Sequence, residues 1–226
     1  MKYLPFTKYS FTGSPVACPI CGNFKRTQIS KYDRRFKILL QSKCDECALV
    51  RHEFMLSDEQ LSQYYSTSYR SDYQWVNSAP TSRHIEKRVS EAKTRLNNLN
   101  PYLKKNPKIL DFGCGSGEFI ELAQKKGALA TGFEPGDLYA AYARDQKRLD
   151  VQNCGWENYD QKKKVDVVTA FHVFEHLIDP LKAFQKSISW LNKNGLIYIE
   201  VPNMAKGLKL KGFGSLHMAH TIGFGR

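Results

Sequence analysis

From Lys108 onward, short apolar runs alternate with segments whose apolar residues recur at helical spacing. Ile109-Leu110, Leu129 to Phe133, Val165 to Phe171 and Leu196 to Val201 are of strand length, and Asp150 to Asn153 supplies a shorter strand. Between them, Phe119, Ile120, Leu122 and Ala123, then Leu138, Ala141 and Tyr142, then Leu181, Phe184, Ile188 and Leu191 repeat with helical period. Helices are expected to bury those residues. Gly127 and Asn194-Gly195 read as helix stops, and Asp179-Pro180 as a start. Val165 to Phe171 is almost continuously apolar, as in a central parallel strand covered on both faces. Strand and helix alternate five times, and right-handed crossovers turn such a series into an open parallel sheet with helices on both faces. Ahead of it, Ile85, Val89, Ala92, Leu96, Leu99 and Leu103 predict a longer helix from Ser82, expected to cover one face of the sheet. Ser57-Asp-Glu-Gln60 reads as a capping box that opens a short helix with Leu61, Tyr64 and Tyr65.

The first strand runs into Asp111-Phe-Gly113-Cys-Gly115-Ser-Gly117, and a helical pattern follows at once. Such a turn lets a ligand approach the backbone, and the next helix offers free N–H groups to it. A dinucleotide fingerprint requires a third glycine where Glu118 stands. The D-x-G-x-G-x-G pattern instead resembles motif I of the class I S-adenosylmethionine (SAM)-dependent methyltransferases. His172-Val-Phe-Glu-His176-Leu-Ile-Asp-Pro180, after the fourth strand, resembles the same family's hxxEHLxDP segment. The resemblance implies a Rossmann-like α/β fold that binds SAM through Asp111, Gly113, Gly115 and Gly117. It gives Glu134, at the end of the second strand, the ribose hydroxyls. Trp156 follows the third strand, where it either stacks on the adenine or fills core. His172 would lie near the methionine part of the cofactor, with Glu175 and His176 at its rim. A hydrogen-bonded structural role is the preferred reading of His176.

Two C-x-x-C pairs, Cys18/Cys21 and Cys44/Cys47, stand in a segment too small to bury much core. Each pair holds two thiolates on one side of a tight turn, and together they make a tetrahedral S4 shell suited to structural zinc. A disulfide pair, a redox C-x-x-C and an iron–sulfur cluster compete with that reading. The usual ferredoxin spacings are missing, and a redox motif normally occurs once. Cys114 and Cys154 receive no catalytic role. The expected organisation is a zinc ribbon over residues 1–56, a helical bridge over 57–107 and a SAM-binding domain over 108–226. The Tyr- and Ser-rich stretch from Tyr64 to Trp75 either packs the ribbon or serves as a lid.

Hydrophobic residues at 42% and charged residues at 25% of 226 fit a globular protein. No apolar run approaches the roughly 18 residues of a membrane span. With no secretory leader pattern at Met1 to Lys8, a cytoplasmic location is the expectation. The net charge of +12 favours phosphorylated partners such as nucleotide-linked sugars. It is spread out, its longest run being Lys162-Lys163-Lys164, so nucleic acid is not the expected partner. Ser215 to Phe224 resembles the loop after the fifth strand in zinc-ribbon-bearing sugar C-methyltransferases. There a histidine near the acceptor acts as general base. His220 is the first match and His217 the second, although Ala219 stands where a Glu is usual. The family normally continues through a further helix and two strands, so a truncated chain ending at Arg226 is expected. The expected function is methyl transfer from SAM to a small molecule, a nucleotide-linked sugar first. O- or N-methylation of another small molecule, or a non-catalytic interaction protein on this fold, are the alternatives.

Overall fold

A computed structural model describes residues 5–11, 13–67, 80–161 and 163–225. Residues 68–79 of the Tyr-rich stretch, Lys162 and the terminal Arg226 lie outside the described residues. In chain order the first part forms strands β1 (Ser14–Pro15), β2 (Arg26–Tyr32), β3 (Ile38–Cys44), β4 (Val50–His52) and β5 (Phe54–Met55), then helix α1 (Asp58–Thr67). The capping box at α1 is present: Gln60 N–H donates to Ser57 Oγ and Ser57 N–H to Gln60 Oε1. Helix α2 (Ser82–Leu99) follows, capped by Thr81 Oγ1. Next come β6 (Lys108–Phe112), α3 (Glu118–Lys125), β7 (Leu129–Phe133), α4 (Asp137–Ala141), β8 (Val151–Gln152) and β9 (Val165–Phe171). The chain ends with α5 (Pro180–Ser189), β10 (Leu191–Glu200), α6 (Met204–Lys211) and β11 (Ile222–Gly223).

The described residues group into two compact units, one within 1–73, 174–182 and 201–226, the other within 74–173 and 183–200. The second unit holds the expected five-stranded parallel sheet, in the order β10-β9-β6-β7-β8. The chain runs outward from β6 to β8 and then returns to the other side of β6, so the order reverses between β6 and β9. Ligands in open α/β sheets bind beyond the carboxyl ends of the strands at such a switch. Ile109 and Leu110 of β6 and Val167, Val168 and Ala170 of β9 are almost wholly inaccessible, as covering on both faces requires. Ala92, Leu96 and Leu99 of α2 and Phe119, Ile120 and Ala123 of α3 share one core with Ile109 and Val167. Phe112, Phe133, Tyr159 and Trp190 form an aromatic cluster.

The first unit contains an antiparallel sheet of order β11-β4-β3-β2 and the β1-β5 pair. Ile222 pairs with Arg51 and Gly223 with Val50. Residues after 201 therefore cluster with the cysteine-bearing segment, whereas the sequence reading groups them with the SAM-binding domain.

Local periodicity misassigns two helices. After α4 the chain widens into a π-helical turn, Tyr142–Gln146. It buries Tyr139, Ala140 and Ala143 and leaves Leu138, expected inside, 45% exposed. Helix α5 ends at Ser189 and does not reach Leu191 or Asn194. It buries Ala183 and Ser187 and leaves Leu181, Phe184 and Ile188 exposed. Small residues allow close packing, and that decides the buried face against hydrophobicity. Leu191 instead pairs with Val165, and the strand is interrupted before Leu196 resumes pairing at Val167.

Arg95 occupies the apolar stripe of α2 between Ala92 and Leu99 and is buried. Its Nε donates to both carboxylate oxygens of Glu200, at 3.2 and 3.1 Å, and its Nη2 to Oε1 at 2.5 Å. Its guanidinium lies 4.5 Å from the centre of the Phe171 ring. Arg95→Ala is expected to cost about 2 kcal/mol in urea denaturation, discounted for the partial exposure of Glu200. A double-mutant cycle with Glu200→Gln checks that most of this loss is shared between the pair.

Candidate cofactor and metal sites

Gly113, Gly115 and Gly117 all have positive φ, at 68°, 56° and 81°. A side chain at Gly117 is disfavoured on two counts, since the backbone is left-handed and Leu149 Cδ1, 2.5 Å from an added Cβ, would have to shift. Gly115 differs: the nearest atom to an added Cβ is Tyr139 Cδ1 at 3.9 Å, so the space beside it is open. The Gly115 N–H donates to Glu134 Oε2 at 3.0 Å and the Gly136 N–H to Glu134 Oε1 at 2.8 Å. Glu134 thus stands against the glycine loop, at the carboxyl end of β7 beside β6. Asn153 Nδ2 donates to the Glu134 carbonyl at 3.0 Å and ties in the loop after β8. That loop carries Trp156, half-buried in a turn.

Asp111 is 3% exposed and accepts a 2.6 Å hydrogen bond from Thr169 Oγ1. Burial pushes its pKa up to about 7, against the hydrogen bond from Thr169 and the charge of Arg95. His172, with φ 58°, is exposed just beyond β9. Its N–H donates to the Glu200 carbonyl at 2.9 Å, and its Nε2 lies 3.2 Å from Glu200 Oε1. Hydrogen bonds from Arg95 hold the Glu200 carboxyl below its usual range, with help from His172. The structure thus brings Asp111, the three glycines, Glu134 and His172 to the carboxyl ends of β6, β7 and β9. Sequence reasoning missed Arg95, Thr169 and Glu200. An arginine on an otherwise apolar helical stripe was the available signal for the first.

Cys18 and Cys44 are buried, Cys21 and Cys47 exposed, and all four are free thiols. The Cys18–Cys47 and Cys21–Cys44 sulfur pairs are each 3.5 Å apart, and all four sulfurs lie within 4.8 Å of one another. A tetrahedral zinc with Zn–S bonds of about 2.3 Å sets sulfurs roughly 3.8 Å apart, so the donor set fits that metal. Burial pushes Cys47 up to about 12. Burial acts the same way on Cys44, but the N–H groups of Cys47 and Glu46 bring it down to about 7.

A second polar cluster lies in the same unit. Glu175 and His176 sit on a 3₁₀ turn, Phe174–His176, which precedes α5. Asp179 Oδ1 accepts from the Lys182 N–H at 2.9 Å and caps that helix, as expected. His217 and His220 lie on the segment before β11, with ring centres 3.8 Å apart. His217 is buried, and burial together with the charge of Arg34 holds its pKa down at about 2. His52, in β4, is buried with Nε2 3.3 Å from the His217 carbonyl oxygen, and burial lowers it to about 4. His52 was not foreseen, because its partner lies 165 residues away.

A family model described as "Methyltransferase domain" matches residues 82–223. The chain belongs to the methyltransferase-domain family. Among curated relatives, the ubiquinone biosynthesis O-methyltransferase of Histophilus somni (strain 2336) is 33% identical over 107 residues, covering 42% of this chain and 45% of the relative. The protein of the same name from Pelagibacter ubique (strain HTCC1062) is 31% identical over 104 residues, covering 44% and 43%. The chain spans about half the length of the curated relatives it matches. Among solved structures, a coclaurine N-methyltransferase bound to N-methylheliamine and SAH aligns with a TM-score of 0.48 at 16% identity, covering 61% of this chain and 45% of that one. Among the described residues, no helix is long and apolar enough to cross a membrane.

The raised pKa of Asp111 makes stability depend on pH. Between its ordinary value of 3.8 and its folded value of about 7, the folded state holds a proton that the unfolded state has lost. Stability from this group is therefore complete below about pH 4 and is lost as pH rises to about 7, by on the order of 4 kcal/mol. Asp111→Asn keeps an oxygen for Thr169 and is expected to flatten that slope. Urea midpoints between pH 4 and 8 check it; an unchanged slope in the variant contradicts the assignment.

Proposed function

We propose that this chain is a SAM-dependent methyltransferase acting on a small-molecule acceptor. The observation that carries the reading is the contact of the glycine-loop N–H of Gly115 with the carboxylate of Glu134 at the carboxyl ends of β6 and β7, beside the switch between β6 and β9. Bound there, SAM supplies a methyl group on a positively charged sulfur. Glu134 accepts hydrogen bonds from the ribose hydroxyls, for which a carboxylate has spare lone pairs. Gly113, Gly115 and Gly117 keep the loop backbone low enough for close approach, and Asp111, just before the loop, is bonded to Thr169 of β9. Trp156 lies along the adenine, and His172, positioned by Glu200, borders the methionine part.

The curated relatives' printed name favours transfer to an oxygen. The resemblance of the cysteine segment and tail to sugar methyltransferases favours a nucleotide-linked sugar, as does the positive charge. Either acceptor loses a proton when its oxygen, or in a C-methylated sugar its carbon, takes the methyl group. Of the two tail histidines, His220 is the proton acceptor we assign, since burial leaves His217 a poor base. The four cysteines hold a structural zinc with a closed shell, which fits a reducing, cytoplasmic setting.

Isothermal titration with SAM tests the cofactor site. Wild type is expected to bind in the micromolar range, about −8 kcal/mol. Glu134→Ala and Gly115→Val are expected to lose that binding; Gly115 has space beside it but a φ of 56°, so Val strains the loop locally, and circular dichroism checks that both variants are folded. A folded wild type that takes up no SAM removes the reading. For the zinc, metal analysis is expected to show about one zinc per chain fewer in Cys18→Ser than in wild type. Equal content in the two proteins would contradict an S4 site.

A further inference from the structure

The turn bearing Glu175 and His176 is stitched to the segment bearing His220. Thr221 Oγ1 lies 3.3 Å from the Glu175 carbonyl and 2.9 Å from the Leu177 carbonyl, placed to donate to them. His176 Nδ1 lies 2.6 Å from the Ala219 carbonyl oxygen. A carbonyl only accepts, so Nδ1 carries the proton, and in the neutral ring the lone pair is on Nε2. That Nε2 is 3.9 Å from Glu175 Oε1, and His220 Nε2 is 3.9 Å from the same oxygen. One candidate ligand atom from each of the three residues lies within 4.8 Å of those of the other two. Their side chains are 1%, 15% and 12% exposed for Glu175, His176 and His220.

Two imidazole nitrogens and one carboxylate oxygen form the donor set that takes first-row divalent cations and leaves coordination positions open. Metal–ligand bonds of about 2.0–2.2 Å place donors roughly 3–3.5 Å apart, so closure needs each atom to move by under about 1 Å. Ligating histidines are usually oriented by a hydrogen bond from the other ring nitrogen, as Ala219 orients His176. His220 is in the wall of a cavity of about 360 Å³ that Arg34, Lys206, Lys211 and His217 also line.

We propose that Glu175, His176 and His220 form a divalent-cation site whose open positions face this cavity, where an oxygen of an anionic ligand completes the shell. Arg34, Lys206 and Lys211 supply the charge that such a ligand needs. The site itself does not rest on the methyltransfer reading.

Co²⁺ alone is the probe, titrated into the full chain with its cysteines loaded with zinc. The expected result is uptake of about one Co²⁺ per chain, with the weak visible bands of nitrogen and oxygen ligation and no intense thiolate charge-transfer band. Glu175→Gln and His220→Ala are each expected to weaken uptake at least about tenfold. Lys206→Ala, outside the donor set, is expected to retain it. Circular dichroism establishes that both ligand variants are folded. No uptake by folded wild type, a thiolate-dominated spectrum, or equal uptake in both ligand variants would overturn the proposal. SAM calorimetry is a separate measurement, so failure here and failure of the cofactor reading are distinguishable.

Discussion

Two backbone N–H groups, those of Gly115 and Gly136, converge on the one carboxylate of Glu134. Loop amides need acceptors when chain packs over them, and a side chain that serves two at once fixes both loops. This contact exists because β6 and β7 are parallel neighbours in register, with Asp111 opposite Gly132 and Phe112 opposite Phe133. It survives because Gly117 packs against Leu149 and Ala143 without a side chain. The sheet, α2 and the aromatic cluster act as a frame that holds this arrangement at the reversal between β6 and β9. Buried parallel strands are stiff, and a site at their ends inherits that stiffness.

Charge in that frame is arranged in two opposite ways. Asp111 is buried beside a hydroxyl and is pushed toward its neutral form. Glu200 sits in the fork of Arg95 and is held ionised. Only the second can anchor His172 as a fixed negative group at neutral pH. The first is the group whose charge a nearby ligand can change at least cost.

What the sequence made legible was local. The glycine loop, the capping box at Ser57, the Asp179 cap and the buried run of β9 each carry their signal within a few residues. The exposed stripe Leu181, Phe184 and Ile188 shows the limit of periodicity: Ala183 and Ser187 take the inside position because small side chains let the helix approach. The π turn after α4 shifts the phase by one residue, which a fixed helical period cannot register. Arg95 and His52 were hidden for a different cause, since the meaning of each depends on a partner more than a hundred residues away. The pairing of β11 with β4 is likewise a long-range event with no local mark.

That last pairing links the two donor clusters of the first unit. Cys44 ends β3, which pairs with β4, and β4 pairs in turn with β11. Ile222 of β11 packs in the same core as Cys18 and Cys44. One residue before Ile222, Thr221 bonds the turn that carries Glu175, and His220 precedes it. A closed S4 shell favours rigidity, because every ligand position is filled. An open two-histidine, one-carboxylate set favours exchange, because it is not. With both proposed sites filled, a chain that ties the second to the first across three strands gains a stiff base for the site that admits a ligand. On this argument the cysteine segment is the support on which the orientation of His220 depends.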